Sequence, residues 1–211
     1  MVSDPSRFFR GLSDVGPMTD IERATEAVDD GDLVVYPTET VYGLGADALD
    51  PDAVERVFAA KGRDPDDPLS LGVPDVDTAL EYTNPTEREE RFMRAFLPGP
   101  VTVVVERGDQ VPDELTGGRD RVGIRVPEHE LARDLLAAAG PLTATSANVS
   151  GNPSARSVDE LDDEIREAAA VVLDGGETLG AESTVVDVGE GEILRDGGMV
   201  TAVQMWLRSE E

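Results

Sequence analysis

The stretch that decides the fold is LVVYPTETVYGLGADA, residues 33–48. Its apolar start is typical of a buried strand. Ligands gather at strand ends in open α/β sheets, so we expect the polar loop behind this strand to face a site. Gly43, Gly45 and Ala48 fit a loose dinucleotide fingerprint, but the turn is too long and Pro51 opens the next helix. We therefore interpret the two glycines as shaping a tight backbone turn.

Short apolar runs and helical apolar spacings alternate along the rest of the chain. Helices are predicted around residues 21–28, 53–61, 92–97, 131–136, 161–165 and from 200 onward. Strands are predicted at 33–37, 69–73, 101–106, 122–127, 170–176, 183–188 and 192–198, and residues 141–148 are predicted to begin as a strand and end in a polar turn. This order predicts an α/β fold with a mixed sheet and helices packed on it. We expect residues 1–17 to be loosely ordered and residues 18–208 to form a single domain.

The composition is strongly acidic, with 45 acidic against 18 basic side chains and a formal net charge of -27. An acidic disordered protein is excluded, because 39% of the residues are hydrophobic and apolar runs recur along the chain. The acids are scattered, which argues against an acidic face for a cationic partner. Because molar salt screens like-charge repulsion within about 3 Å, the composition favours a halophilic protein.

Several classes of site and location are excluded by missing features. The chain has no cysteine, which excludes disulfides and thiolate chemistry, and it has no P-loop pattern. His129 is the only histidine, so a histidine metal site or a serine–histidine triad is unsupported and a local structural role is expected. Without an apolar signal core or a membrane-length run, we expect a soluble, cytoplasmic protein with no membrane partner.

Lys61 is the only lysine of the chain and precedes Arg63 by two residues in KGRDPDDPL, residues 61–69. An ammonium is a compact point charge, whereas a guanidinium is a planar fork, and a site for several phosphates can use both. The pair therefore predicts phosphate binding and a local reversal of charge sign. The alternative is a solvated surface pair.

Seven segments carry a resemblance to a known family. In chain order they are YPTETVYGLGADA, KGR…PL, PGPVTVVV, VGIRVPEH, TSANVSG, STVVDV and ILRDGG. With them the chain, from residue 20 to residue 200, resembles the YrdC-like family, the L-threonylcarbamoyladenylate synthases. The resemblance implies a twisted open mixed sheet with flanking helices around a large concave, positively charged cavity.

The resemblance also implies a reaction. The enzyme would be a nucleotidyltransferase that joins L-threonine, bicarbonate and ATP into threonylcarbamoyl-AMP and releases pyrophosphate. Mg²⁺ would arrive with ATP, and no organic cofactor is implied. A downstream complex would transfer the threonylcarbamoyl group to adenosine 37 of tRNA, so that tRNA contact by this chain is weak or indirect.

Site residues follow from the same resemblance. The implied catalytic residues are Lys61, Arg63, Ser146 and Asn148. The implied threonine-binding residues are Thr40, Arg125 and Ser183. The implied ATP-binding residues are the four catalytic ones together with Asp67, Arg156 and Arg195. The alternative for Arg125 and Arg195 is ion pairing at an acidic surface.

The chain departs from many relatives close to the Lys61 motif. Asp64 replaces a proline, Asp67 an asparagine and Gly72 a histidine, while Arg156 falls where a serine or threonine is common. Two other functions stay open: a non-catalytic module for structured RNA, and a paralogue of the same fold with another nucleotide-activated substrate. The first is disfavoured because RNA binding needs a basic footprint.

Overall fold

The computed structural model describes residues 18–209. The strands are β1 (Leu33–Tyr36), β2 (Gly43–Gly45), β3 (Ser70–Gly72), β4 (Val101–Glu106), β5 (Arg121–Arg125), β6 (Leu142–Ser146), β7 (Ala169–Val172), β8 (Thr184–Asp187) and β9 (Glu192–Arg195). The helices are α1 (Asp20–Asp29), α2 (Pro51–Lys61), α3 (Val76–Glu81), α4 (Glu87–Phe96), α5 (Asp113–Thr116), α6 (Glu130–Ala139), α7 (Asp163–Ala168) and α8 (Val200–Ser209), with a 3₁₀ turn at Val158–Glu160. The expectation for residues 1–17 lies outside the described residues.

The nine strands form one open mixed sheet in the order β7-β1-β2-β6-β3-β5-β4-β8-β9. The pairs β1–β7, β3–β5 and β4–β8 are parallel, and the remaining neighbours are antiparallel. The predicted α/β class and mixed sheet are therefore confirmed. The short helices α3 and α5 were not predicted, because six and four residues are too few to show a helical period.

Strand β1 packs on both of its faces, as its continuous apolar run predicts. Leu33 and Val35 belong to the larger core, which α2, α4 and α8 cover. Val34 and Tyr36 belong to a second core with α1 and α6. Helices on both faces of the sheet explain why β1 has no polar alternation.

The interpretation of Gly43 and Gly45 as a tight turn is wrong. Both lie in β2, which pairs antiparallel with β1, and neither has a positive φ. A Cβ added at either residue would come within 2.9 Å of the Tyr36 ring. The glycines are therefore needed because the Tyr36 ring lies flat across β2, a close approach that a side chain would block.

Helix α2 begins and ends at residues that the sequence marks clearly. Asp50 caps its first turn by accepting from the Asp52 N–H at 3.0 Å, and Pro51 fills the first helical position. Gly62 ends it in the left-handed region with φ 56°. Lys61 is consequently the last helical residue, as the apolar pattern running into it predicted.

Candidate functional site

A cavity of about 620 Å³ lies against the sheet. Strand β5 gives it the alternate residues Arg121, Gly123 and Arg125, as expected for one face of a strand. Gly123 is required there, because an added Cβ would lie 2.7 Å from Ser70 Oγ and 2.9 Å from Thr102 Cγ2. Side chains from the neighbouring strands β3 and β4 thus close over the backbone of β5.

Positive side chains outnumber negative ones in the wall of this cavity. Five arginines line it, namely Arg63, Arg119, Arg121, Arg125 and Arg195. Three carboxylates line it, namely Asp120, Glu182 and Asp187. In a chain of net charge -27, this is a local reversal of sign that suits an anionic ligand.

Lys61 lies behind the cavity wall rather than in it. Its Nζ donates to the backbone carbonyls of Ser146 and Asn148, the latter at 2.7 Å. The side chain is buried, and this burial, reinforced by the positive charge of Arg63, lowers the pKa of Lys61 from 10.5 to about 8. Lys61 thereby fixes the loop after β6 and places a titratable positive charge beside Ser146, which lines the cavity.

Arg63 is held by main-chain oxygens of its own loop. Its Nε donates to Asp67 O at 3.0 Å and its Nη2 to Pro68 O at 3.1 Å. The Asp64 carboxylate accepts from Asp66 N at 3.0 Å, an Asx turn that bends the loop back under the guanidinium. The carboxylates of this loop are exposed, and Asp67 contributes its carbonyl to Arg63 while standing outside the cavity wall.

Asn148 lies behind Ser146 and is also buried. Its Nδ2 donates to Val149 O at 2.8 Å and to Asn152 O at 2.9 Å. Its Oδ1 is buried and has no hydrogen-bond partner among residues 18–209. An unsatisfied buried oxygen is costly, so this amide oxygen is an acceptor that a ligand could satisfy.

Arg125 is buried in the cavity wall, so the alternative of a surface ion pair is wrong for this residue. Its Nη2 pairs with Glu39 Oε1 at 2.7 Å, and its Nη1 donates to Gly99 O and Val126 O. Two further N–H groups of the guanidinium have no partner within the described residues. They are the donors that Arg125 can offer to a ligand in the cavity.

Ser183 and Arg195 lie together in the cavity wall. Arg195 Nη2 donates to Ser183 Oγ at 2.8 Å and to Ser183 O at 3.1 Å. Ser183 Oγ also lies 3.0 Å from Thr102 Oγ1 in β4. Arg195 remains half exposed, with its other nitrogen 3.7 Å from Glu182, so a ligand can reach it.

Thr40 lines the cavity together with Thr38, Val41 and Gly43 of the same segment. Its Oγ1 lies 2.8 Å from Thr38 Oγ1, and Thr38 Oγ1 donates to Val41 O at 2.6 Å. Tyr36 lines the same cavity. Burial raises the pKa of Tyr36 to about 12, so this phenol stays neutral.

Arg156 and His129 lie outside the cavity wall. Arg156 pairs with Glu177 and packs across Gly180, so the structure places it against the loop that precedes Ser183. His129 precedes α6 and lies beside Gly175, and its Nδ1 is buried without a partner among the described residues. The structure therefore brings together Thr40, Arg63, Arg125, Ser146, Ser183 and Arg195 as lining residues, with Lys61 and Asn148 directly behind Ser146.

Several lining residues were missed from the sequence. They are Tyr36, Thr38, Thr102, Arg119 and Arg121. The alternation Arg121, Gly123, Arg125 could have revealed Arg121, because a strand puts every second side chain on one face. Nothing in the sequence shows that Thr102 meets Ser183, since 81 residues separate them.

Comparison with known proteins matches this sequence and fold to a family. The family of Sua5, YciO and YrdC, which carries the description "Telomere recombination", matches residues 26–197. The chain belongs to the Sua5/YciO/YrdC family. A family member from Pyrococcus abyssi, named threonylcarbamoyl-AMP synthase, is 41% identical over 184 residues, which are 85% of this chain and 54% of that protein.

Other family members agree over larger or smaller shares of their length. A putative threonylcarbamoyl-AMP synthase of Mycobacterium leprae is 38% identical over 95% of this chain and 89% of its own length. The crystal structure of P. abyssi Sua5 complexed with L-threonine superposes with a TM-score of 0.79 at 38% identity, over 89% of this chain and 58% of that one. The crystal structure of Escherichia coli YciO gives 0.76 at 28% identity, over 84% and 88%.

The coverage differs between these relatives in one respect that matters. The chain spans about half the length, 54%, of the synthases of P. abyssi and Bacillus subtilis.

Within residues 18–209 no helix is long and apolar enough to cross a membrane. The same residues contain no group of three or more histidine or carboxylate side chains that could hold a metal ion.

Proposed function

We propose that the chain is a threonylcarbamoyl-AMP synthase that converts L-threonine, bicarbonate and ATP into threonylcarbamoyl-AMP and pyrophosphate. The observation that carries the proposal is the arginine-lined cavity in a chain of net charge -27. The names of the P. abyssi and B. subtilis relatives, and the L-threonine complex of P. abyssi Sua5, support it. The product would pass to a partner complex that transfers the threonylcarbamoyl group to adenosine 37 of tRNA.

The first step joins the amino nitrogen of threonine to the carbon of bicarbonate. The nitrogen must be neutral to attack, and the bond forms as one water leaves, giving a carbamate. Arg125 has free N–H donors in the cavity wall and is suited to bind the threonine carboxylate. Thr40 and Ser183 supply hydroxyl groups to the same cavity.

The second step is a phosphoryl substitution. A carbamate oxygen attacks the α-phosphorus of ATP, and the bond from that phosphorus to the pyrophosphate oxygen breaks. Such a transfer depends chiefly on positioning and on neutralising the phosphate charge. Arg63 and Arg195 provide charge at the cavity wall, and Lys61 adds a positive charge from behind Ser146.

Magnesium belongs to this proposal as part of the substrate MgATP. It usually binds through phosphate oxygens, water and very few protein ligands. The Oδ1 of Asn148, which has no partner within the described residues, is an oxygen of the type that coordinates Mg²⁺ or accepts a hydrogen bond from its bound water, and it lies on the loop that Lys61 holds. Asp67 and Arg156 remain proposals as nucleotide contacts, which the loops carrying them would have to bring to the cavity.

The experiment that tests the function is pyrophosphate release by the whole chain in concentrated salt. Release should require L-threonine, bicarbonate and MgATP together, and Lys61→Ala should abolish it. A folded protein that binds ATP yet releases no pyrophosphate with all three substrates would overturn the proposal. Tight tRNA binding by such a protein would favour the RNA-binding alternative instead.

A further inference from the structure

The hydroxyl groups of Thr38 and Thr40 form a short chain whose proton positions can be deduced. Thr38 Oγ1 lies 2.6 Å from Val41 O and 2.8 Å from Thr40 Oγ1. Each of these oxygen–oxygen contacts needs one proton between its atoms. A carbonyl oxygen has no proton, so Thr38 must donate its only hydroxyl proton to Val41 O.

The polarity of Thr40 follows from this assignment. Because the Thr38 proton is committed to Val41 O, the Thr38–Thr40 contact must be donated by Thr40. Thr38 Oγ1 has two lone pairs: the shorter contact from Thr40 Oγ1 takes one, and the longer contacts from the backbone N–H groups of Thr40 and Val41, at 3.2 and 3.3 Å, share the other. Thr40 Oγ1 therefore presents only lone pairs to the cavity that it lines.

The contact between Ser183 and Thr102, which line the same cavity, lacks such a constraint. Ser183 Oγ accepts from Arg195 Nη2 at 2.8 Å, and either Ser183 or Thr102 can donate in the contact between them. Both Thr38 and Thr40 are more than nine-tenths buried, with exposed fractions of 8% and 6%. The 2.6 Å contact to Val41 O holds the Thr38 proton, so the acceptor character of Thr40 is a fixed property of the site.

We propose that Thr38 is a positioning residue that makes Thr40 an obligate acceptor, so that the ligand group bound against Thr40 is a hydrogen-bond donor. This inference rests on the proposed function, and it deepens it. A threonine carboxylate has no proton to give and is excluded from this position. The donors that L-threonine offers are its amino group and its β-hydroxyl group, which leaves the carboxylate for Arg125 on the same wall.

The test measures L-threonine binding to the whole chain by titration calorimetry, with Thr38→Val as the variant. Loss of the Thr38 hydroxyl frees the Thr40 proton, which can then point into the cavity. We therefore expect the affinity for L-threonine to fall about tenfold. Thr38→Ser, which restores the hydroxyl, should bind L-threonine more tightly than Thr38→Val. Thr25→Val is the matched control, because Thr25 lies in α1 with no partner for its hydroxyl among the described residues.

Two analogues of L-threonine show which donor binds Thr40: L-2-aminobutyrate lacks the β-hydroxyl, and 3-hydroxybutyrate lacks the amino group. The analogue that lacks the group bound to Thr40 should have the same affinity for Thr38→Val and for wild type. If Thr38→Val does not fold, the wild type can be measured directly by NMR. Its Thr40 hydroxyl proton should exchange slowly and show a nuclear Overhauser effect to Thr38.

Equal affinity of Thr38→Val and wild type for L-threonine would overturn the inference. The proposed function would still stand in that case if the wild type releases pyrophosphate. Equal weakening of threonine and both analogues would also overturn it, since that points to a loosened loop. Absence of the slow hydroxyl proton would contradict the assigned donor. Wild type that neither binds L-threonine nor releases pyrophosphate would remove the proposed function and the inference together.

Discussion

Lys61 should titrate far below an ordinary lysine, because its ammonium is buried behind Ser146. Its pKa falls from 10.5 to about 8. At roughly 1.4 kcal/mol per pH unit, this shift corresponds to about 3 kcal/mol of stability that the folded state loses when Lys61 is protonated. The folded pKa lies below the unfolded value, so the loss is absent above pH 10.5 and complete below pH 8.

The chain is unusually well suited to this measurement, since Lys61 is its only lysine. Selective ¹³C labelling of lysine gives a single Cε resonance, and its shift against pH reads the pKa without overlap from the N-terminal amine. We expect a midpoint near pH 8, moving upward when MgATP brings negative charge close to the ammonium. A midpoint at pH 10 or above would refute the burial argument.

A variant checks the same effect through stability. In Lys61→Arg the side chain stays protonated over the whole range, so its difference from wild type isolates the lysine titration. Between pH 8 and pH 10.5 the free energy of unfolding of the wild type should rise by about 3 kcal/mol relative to Lys61→Arg in urea. A difference that stays constant with pH would contradict the assigned shift.

Three further results are expected. Glu39→Gln should lower the free energy of unfolding in urea by about 3 kcal/mol, because it leaves Arg125 buried without its counter-charge; an unchanged value would mean that the pair is solvated. Gly123→Ala should lower kcat/KM for pyrophosphate release at least about tenfold in a folded protein, because Ser70 and Thr102 must move away from the new Cβ; full activity would show that this wall is dispensable. The melting temperature should rise as NaCl increases from about 0.2 to about 2 M, because salt screens the repulsion of the 45 acids; a flat response would rule out adaptation to high salt.

The sequence predicted those features that depend on neighbours in the chain. Strand β1 is a continuous apolar run, and α2 is bounded by Asp50 and Gly62, so Lys61 could be placed at a helix end. Strand β2 could not be predicted, because three residues with two glycines show neither alternation nor β propensity. Its glycines have a reason only once the Tyr36 ring is seen lying across them.

Only part of the residue set around the cavity follows from the sequence, since Asp67 and Arg156 lie outside its wall, and none of the contacts does. Lys61, Arg63 and Ser146 were expected together, yet the structure shows Lys61 bound to carbonyls 85 and 87 residues away. The Glu39–Arg125 pair spans 86 residues, and no local pattern indicates it. Long-range partners of this kind depend on how the strands are ordered in the sheet, which periodicity leaves open.

The loop that holds Arg63 uses its main chain to bind the guanidinium and exposes acidic side chains to solvent. Because the guanidinium binds the carbonyls of Asp67 and Pro68, the side chains at 66 and 67 are free to face solvent, while the Asp64 carboxylate accepts from Asp66 N and holds the turn. Substitution can therefore change the surface charge at positions 66 and 67, while the Arg63 guanidinium keeps its place at the cavity wall. An acidic exterior and an anion-binding interior are thus independent properties of one short loop, divided between its side chains and its main chain.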